Sequence, residues 1–263
     1  MAPIITLLTD FGLKDGYVAS LKGVILGICP SALVVDVSHL VQTQDVRSGA
    51  FLLSTVYQDF PPGTIHLAIV DPGVGTKRQG MVLRTPDYFL VGPDNGLFSW
   101  VCRKESQWHA CALQNAQYWR SPVSPTFHGR DIFAPVAAHL AAGVAMERLG
   151  PPWEPYIAGW TTMVRGDRTL RGEVIHVDHF GNVITNLDEE TVSDFAPATE
   201  LRIEIEGVKL NGLTMTYGEQ PFGAMMALIG SHGYLEIAAN QQHAGKQLGV
   251  KTGTPVRLSH LRP

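Results

Sequence analysis

The sequence predicts an α/β N-terminal domain with a mostly parallel sheet, followed by a smaller all-β C-terminal domain. In the first half, apolar strand patterns alternate with amphipathic helix patterns, which is typical of βαβ units. After three prolines within 150–155, short strand patterns follow one another between glycines, which favours an antiparallel sandwich or barrel. We therefore place the N-terminal domain at 1–155 and the C-terminal domain at 165–263.

Four apolar runs of the first half are predicted to be strands, and an aspartate lies in or shortly after each. The runs are continuous in Val, Ile and Leu rather than alternating, as expected for parallel strands covered on both faces. They are 4–8 before Asp10, 33–37 around Asp36, 65–70 before Asp71, and 88–91 before Asp94. Because open parallel sheets bind ligands outside the carboxyl ends of their strands, these carboxylates predict a site for hydroxyls, cations or protons.

Helices are predicted between these strands. Apolar residues recur at helical spacing over 17–28 and over 46–60, after the first and the second strand. A third helix is predicted to begin near Asp131, a favourable N-cap, with Pro135 near its first turn. Beyond the prolines, short strands are predicted at 174–177, 183–187, 201–206, 225–229, 234–238 and 255–259.

Composition argues against several classes of protein. The net charge is −4 and Lys and Arg do not cluster, so we expect no nucleic-acid partner. The N-terminus lacks the basic stretch of a signal peptide, and the most apolar segment, 134–146, is too short to span a membrane. Cys29, Cys102 and Cys111 have no metal-ligand spacing, so we expect reduced thiols, a cytoplasmic protein and no bound metal.

Gly73 and Gly75 follow the third strand, where a dinucleotide-binding motif would begin. Arg78 stands at the position of that motif's third glycine, which excludes the motif. Two interpretations remain for this segment. It is either a tight turn, or a loop that brings Asp71 close enough to Arg78 for an ion pair that keeps the carboxylate ionised.

Two further segments allow both a structural and a functional interpretation. His128, in 127–131 (FHGRD), is either an exposed loop residue or a proton-handling group, since its ordinary pKa is ~6.5. The segment 178–182 (DHFGN) is either a hairpin loop, because Gly-Asn is typical of turns, or a ligand contact. As a contact it offers a carboxylate, an aromatic ring and an amide, which together suit a purine.

Seven motifs in order give the chain a resemblance to one family. They are LTDFG at 8–12, DVSH at 36–39, VDPGVG at 70–75, GPDNG at 92–96, FHGRD at 127–131, DHFGN at 178–182 and SHGY at 231–234. With these motifs the chain resembles the adenosine-forming S-adenosyl-L-methionine (SAM) hydrolases, or SAM hydroxide adenosyltransferases, relatives of the fluorinase and chlorinase. The resemblance implies a barrel-like C-terminal domain, a homotrimer with sites at subunit interfaces, and hydrolysis of SAM to adenosine and L-methionine without a cofactor.

The resemblance also implies roles for individual residues. Asp71, Arg78 and His128 match the catalytic triad, which would hold the water that attacks the ribose C5′. Which of the three accepts the proton stays open. The substrate-binding residues would be Asp10 for the ribose hydroxyls, Phe127 beside the reacting carbon, Phe180 and Tyr217 around the adenine, Asn182 at the adenine edge, Asp178 for the methionine ammonium, and Ser231 for its carboxylate.

Differences from the fluorinase favour water over halide as the nucleophile. Gly129 lacks the hydroxyl of a fluorinase serine that helps to bind fluoride, and Asp71 places a negative charge where the fluorinase has a tyrosine. His232 replaces an arginine beside Ser231, and Gln44 replaces a tryptophan near the ribose. The alternative functions are a halogenase resembling the chlorinase and a protein that binds SAM or adenosine without turnover.

Overall fold

The structure, a computed structural model, describes residues 2–261, and the chain divides into two compact units between Ala158 and Gly159. The first unit contains a six-stranded sheet and four α-helices. Its strands are β1 (Ile4–Thr9), β2 (Leu33–Ser38), β3 (Ile65–Ile69), β4 (Gly80–Arg84), β5 (Phe89–Pro93) and β6 (His109–Ala112). Its helices are α1 (Tyr17–Ile28), α2 (Val46–Val56), α3 (Ser99–Lys104) and α4 (Ala134–Ala141), and a π-helical turn, Gly129–Phe133, leads into α4.

The sheet of the first unit is mixed, with the order β2-β1-β3-β5-β4-β6. The strands β2, β1, β3 and β5 are neighbours and parallel, whereas β4 is antiparallel to both β5 and β6. The three strands after which Asp10, Asp71 and Asp94 follow are therefore parallel neighbours. Their carboxyl ends lie along one edge of the sheet, as the sequence predicts for a ligand site.

Burial in this sheet differs between its centre and its edge. β3 is buried throughout and β1 is buried after Ile4, and both belong to the core with Leu21 and Ile25 of α1, which packs against α4. The prediction that every parallel strand is covered on both faces is wrong for β2, where Leu33 is 55% exposed. β2 lies at the edge of the sheet, so its apolar residues have a strand neighbour on one side only.

The predicted helices 17–28 and 46–60 are confirmed as α1 and as α2 followed by a 3₁₀ turn, Tyr57–Asp59. The third predicted helix is present too, although the chain first makes a π-helical turn over Gly129–Phe133 and Pro135 lies in the first turn of α4. The strands β4 and β6 and the helix α3 were not predicted. The helix α3 has only six residues, which is too short for a helical period to stand out.

The second unit contains an antiparallel, barrel-like sheet with the order β11-β10-β14-β8-β9-β13-β12, and β7 pairs with β8. Its strands are β7 (Val164–Arg165), β8 (Thr169–Val177), β9 (Val183–Asp188), β10 (Leu201–Ile205), β11 (Val208–Asn211), β12 (Met225–Ile229), β13 (Tyr234–Ala239) and β14 (Pro255–His260). The unit is not purely β, because two short helices, α5 (Glu189–Phe195) and α6 (Ala244–Leu248), are present. Asp188 caps α5 by accepting a hydrogen bond from the backbone N–H of Thr191.

Across residues 2–261, every helix is too short or too polar to cross a membrane.

The core of the second unit consists of inward-facing strand residues such as Ile203 of β10, Ile237 of β13 and Leu258 of β14. In β10 the buried and half-buried positions alternate strictly, as the period-two sequence 201–206 predicts for one covered face.

Candidate active site

A cleft of about 650 Å³ lies at the carboxyl ends of β1 and β3 in the first unit. Asp10 follows β1 directly and Asp71 follows β3 by two residues, so both carboxylates reach the same edge of the sheet. The other two strand-associated aspartates do not line this cleft. Asp36 pairs with Lys22 and His39, and Asp94 accepts hydrogen bonds from Trp153 and from the backbone of Tyr156.

The loop after β3 brings Asp71 and Arg78 together. Arg78 Nε donates to Asp71 Oδ1 at 2.9 Å and to Oδ2 at 3.0 Å, and its Nη2 donates to Oδ2 as well. The turn between them depends on Gly75, which has a φ of 77°. A Cβ on Gly75 would lie 2.4 Å from the carbonyl oxygen of Pro125, so only glycine fits there.

The same arginine reaches His128. Arg78 Nη2 lies 3.0 Å from His128 Nδ1. An arginine is a donor only, so Nδ1 accepts this hydrogen bond and the neutral ring carries its proton on Nε2. The pKa of His128 is lowered from its ordinary value, first because the ring is partly desolvated and second because the guanidinium of Arg78 opposes a positive charge.

The position of His128 depends on the turn that leads into α4. His128 immediately precedes the π-helical turn, and the buried Asp131 anchors this turn by accepting a hydrogen bond from the backbone N–H of Ser124 at 2.8 Å. Arg130 also pairs with Asp131. A Cβ on Gly129 would lie 3.3 Å from Ile69 Cδ1 and 3.4 Å from Phe11 Cζ, which leaves little room for a side chain.

Asp10 also lines the cleft. Its Oδ2 accepts a hydrogen bond from the backbone N–H of Gln44 at 2.8 Å, which leaves lone pairs on both oxygens for a ligand. Gln44 adopts a left-handed backbone with a φ of 65°, which is unusual for a residue other than glycine. Local strain of this kind concentrates at functional sites, and here the Asp10 carboxylate holds the strained peptide.

Three aromatic rings pack edge-to-face in the cleft, and only Phe127 among them was predicted from the sequence. Phe127 lies 5.3 Å from Tyr17 and 6.0 Å from Phe11, measured between ring centroids. Tyr17 begins α1 and is 50% exposed, although its helical spacing placed it on the apolar face. Arg130 stacks over Phe127 at 5.0 Å and also lines the cleft. The signal that could have identified Arg130 was its place in the motif FHGRD, two residues after His128.

The remaining predicted site residues lie in the second unit. Asp178 Oδ1 accepts from the backbone N–H of Asn182 at 2.8 Å, and Oδ2 accepts from its Nδ2 at 3.0 Å. Because a carboxylate is an acceptor only, the amide NH₂ of Asn182 points to Asp178 and its Oδ1 stays available to accept from a ligand. The neighbouring Phe180 is 75% exposed, while a Cβ on Gly181 would collide with His243 at 2.3 Å.

Tyr217 and Ser231 also lie in this unit. The Tyr217 hydroxyl donates to Glu236 Oε1 at 2.7 Å, while 42% of the residue stays exposed. Burial, followed by the hydrogen bond to Glu236, raises the pKa of Tyr217 above its ordinary value. Ser231 is exposed in the turn between β12 and β13, in which the N–H of Gly233 donates to the carbonyl of Gly230. Glu236 was not predicted from the sequence as a site residue.

Comparisons with known proteins identify the family to which this chain belongs. The family models of the SAM hydroxide adenosyltransferase N-terminal and C-terminal domains match residues 5–150 and 172–257. The chain is 40% identical to a protein of Thermus thermophilus named (R)-S-adenosyl-L-methionine hydrolase, over 95% of this chain and 97% of that protein. It is 29% identical to a fluorinase of Nocardia brasiliensis, over 97% and 96% of the two chains.

A solved structure is similar over nearly the whole chain. It is the crystal structure of an uncharacterized conserved protein from Thermotoga maritima, which has 35% sequence identity and a TM-score of 0.88. The match covers 97% of this chain and 99% of the other.

Proposed function

This chain belongs to the SAM hydroxide adenosyltransferase family, and we propose that it hydrolyses SAM to adenosine and L-methionine. One observation carries this proposal, namely the hydrogen-bonded chain Asp71–Arg78–His128 whose two ends line the cleft. The named hydrolase relative supports the same activity. A protein that only binds SAM would not need an ion pair held in contact with a neutral imidazole.

The reaction forms a bond from a water oxygen to the ribose C5′ and breaks the bond from C5′ to sulfur. Sulfur leaves as the neutral thioether of methionine and takes the bonding electron pair, so the leaving group needs no acid. The difficulty is to hold a weak nucleophile in line with the C5′–S bond. Positioning of this kind is worth several powers of ten in rate.

From the geometry of the triad we infer different roles for His128 and Asp71. In the tautomer set by Arg78, Nε2 of His128 is an N–H donor and therefore orients the water rather than accepting its proton. The acceptor is Asp71, which keeps one lone pair on Oδ1 beside its three hydrogen bonds from Arg78. A weak base is sufficient, because the water becomes a strong acid once its oxygen bonds to C5′. Positioned proton transfer contributes ~10²–10⁴-fold.

Substrate recognition follows the roles implied by the family. Asp10 holds the ribose hydroxyls with the lone pairs that Gln44 leaves free, and Phe127 lines the reacting carbon. In the second unit the residues are Phe180 and Tyr217 for the adenine faces, Asn182 for the adenine amino group, Asp178 for the methionine ammonium, and Ser231 for the methionine carboxylate. The free Oδ1 of Asn182 supports its role, because the adenine amino group is a donor.

Water is favoured over halide by the cleft itself. Asp71 puts a carboxylate beside the attacking position, which repels an anion and accepts from water. Gly129 also lacks the serine hydroxyl of the fluorinase, and a Cβ there would already lie 3.3 Å from Ile69 Cδ1. Asp71 and Gly129 both distinguish this chain from the fluorinase, which has a tyrosine and a serine at these positions.

The assembly and its surroundings belong to the same proposal. We propose a homotrimer with sites at subunit interfaces, a cytoplasmic location, and no cofactor, nucleic-acid partner or membrane partner. The domains proposed for each subunit are 1–155 and 165–263. Sedimentation analysis of the purified chain with and without SAM tests the trimer.

The activity is tested by incubation with SAM in ¹⁸O-labelled water, with and without chloride, and mass spectrometry of the products. We expect equal amounts of L-methionine and adenosine, with ¹⁸O at the 5′ position. A 5′-chloro product would instead assign the protein to the halogenases. Binding of SAM without any product would assign it to non-catalytic SAM-binding proteins.

A further inference from the structure

Glu236 is a buried carboxylate in β13, on the face of the sheet that points away from the core of the second unit. Antiparallel pairing places it opposite Leu228 of β12 and Ile184 of β9. Its neighbours Leu235 and Ile237 point into the core, so Glu236 points to the other face of the sheet. Even so, only 5% of Glu236 is exposed.

The carboxylate of Glu236 is held between two parts of the proposed substrate site. Oε1 accepts the hydroxyl of Tyr217 at 2.7 Å. Oε2 lies so close to Gly230 that a Cβ there would be 2.6 Å away, and Gly230 directly precedes Ser231. Glu236 is therefore packed against both the residue proposed for the adenine and the turn proposed for the methionine carboxylate.

The electrostatic surroundings of Glu236 are negative. Asp178 is close enough to raise the pKa of Glu236, in addition to the larger effect of burial, and the Tyr217 hydroxyl opposes both. Two neighbouring carboxylates form a favourable environment for a cationic ligand.

We infer that Glu236 is a positioning and specificity-determining residue, which holds Tyr217 and adds a second negative charge that recognises the cationic centre of the ligand. The inference rests on the proposed function, since SAM carries a sulfonium and an ammonium group whereas its demethylated thioether lacks the sulfonium charge. With Asp178 alone the site would recognise the ammonium group that both compounds share. The additional carboxylate makes recognition depend on the second positive charge.

Two ligands that do not react at C5′ under these conditions test the inference without any turnover. Sinefungin carries an ammonium group near the position of the sulfonium, and S-adenosyl-L-homocysteine has a neutral sulfur there. Isothermal titration calorimetry with the intact protein should give the wild type a preference of about tenfold or more for sinefungin. A wild type without this preference would overturn the inference before any variant is made.

The variant Glu236→Gln keeps the volume and an acceptor for the Tyr217 hydroxyl but removes the charge. It should bind sinefungin about tenfold more weakly, while its affinity for S-adenosyl-L-homocysteine changes less than about twofold. Equal loss for both ligands, or no loss, would mean that Glu236 has a structural role only, and the inference would fail. The matched variant Tyr217→Phe keeps the charge, so its ratio of the two affinities should stay near that of the wild type.

Failure of the inference and failure of the proposed function give different results. If the wild type consumes SAM but Glu236→Gln leaves the ratio of the two affinities unchanged, only the inference is wrong. If the wild type discriminates between the two ligands and Glu236→Gln no longer does, but SAM stays intact, the proposed function is wrong and recognition of the charge by Glu236 stands. Thermal unfolding of both variants checks that each is folded, and where a variant is not folded, a wild type without the preference for sinefungin still overturns the inference.

Discussion

Arg78 donates a hydrogen bond to Nδ1 of His128 over 3.0 Å, and this contact places the proton of the neutral ring on Nε2. The imidazole therefore offers the cleft a donor. An N–H donor can hold a water by its lone pair, whereas a base would have to present an unprotonated nitrogen.

The first prediction separates these two roles of His128. In His128→Gln the side-chain amide places an N–H donor near the position of Nε2 but cannot take up a proton. We expect this variant to keep kcat within about tenfold of the wild type, and His128→Ala to lose about 10²–10³-fold, as for the loss of one positioned donor. If His128 is the general base, steady-state assays will show both variants equally impaired.

The second prediction concerns the two strand-associated carboxylates Asp10 and Asp36. Asp10→Asn should raise KM for SAM about 10–100-fold, since a hydrogen bond to a charged acceptor contributes about 1.5–3 kcal/mol. Asp36→Asn is the matched control, because Asp36 pairs with Lys22 and His39 outside the cleft lining. Its KM should stay within about twofold, with a loss of stability of about 1 kcal/mol or less. Similar KM values for the two variants would remove Asp10 from substrate binding.

The third prediction compares two glycines with positive φ. Gly75→Ala meets both a left-handed backbone and the Pro125 oxygen at 2.4 Å, so we expect a loss of about 2–4 kcal/mol in the free energy of unfolding. Gly12→Ala has a φ of 68° but no atom within 4 Å of its new Cβ, so only about 1–2 kcal/mol should be lost. Urea denaturation measures both losses, and equal losses would argue against the close approach at Gly75.

The fourth prediction concerns stability at acidic pH. His66 is fully buried among Tyr57, Phe60 and Tyr88, and burial lowers its pKa from 6.5 to about 4. Between these two pH values the unfolded chain binds a proton that the folded chain does not. The contribution of neutral His66 to the free energy of unfolding is therefore fully present above pH ~6.5. It is lost as the pH falls towards ~4, by about 3 kcal/mol in total.

Replacement by phenylalanine provides the control for that prediction. His66→Phe removes the titrating group. It also removes the hydrogen bond between Nδ1 of His66 and the Thr6 hydroxyl. Denaturation curves from pH 7 to pH 4 should therefore show a smaller loss of stability for His66→Phe than for the wild type. Parallel pH dependence in the two proteins would contradict the assignment to His66.

Local patterns in the sequence were sufficient for much of the fold. The helical spacing over 17–28 predicted α1, and the continuous apolar runs before Asp10 and Asp71 predicted β1 and β3. In each case the local preference agrees with the tertiary packing. The strand β4 is different. It enters the sheet between β5 and β6 in the antiparallel direction, an arrangement decided by pairings between distant segments.

The same division holds for the candidate site. From the sequence by itself, resemblance to the SAM hydrolases singled out Asp71, Arg78 and His128, because motif order and residue type match that family, whereas spacing alone left their roles open. Only the tertiary structure decided that Asp10 lines the cleft while Asp36 does not, that Nδ1 of His128 accepts from Arg78, and that Glu236 meets Tyr217. These relations join residues far apart in the chain, so their distances and protonation depend on three-dimensional packing rather than on any local pattern.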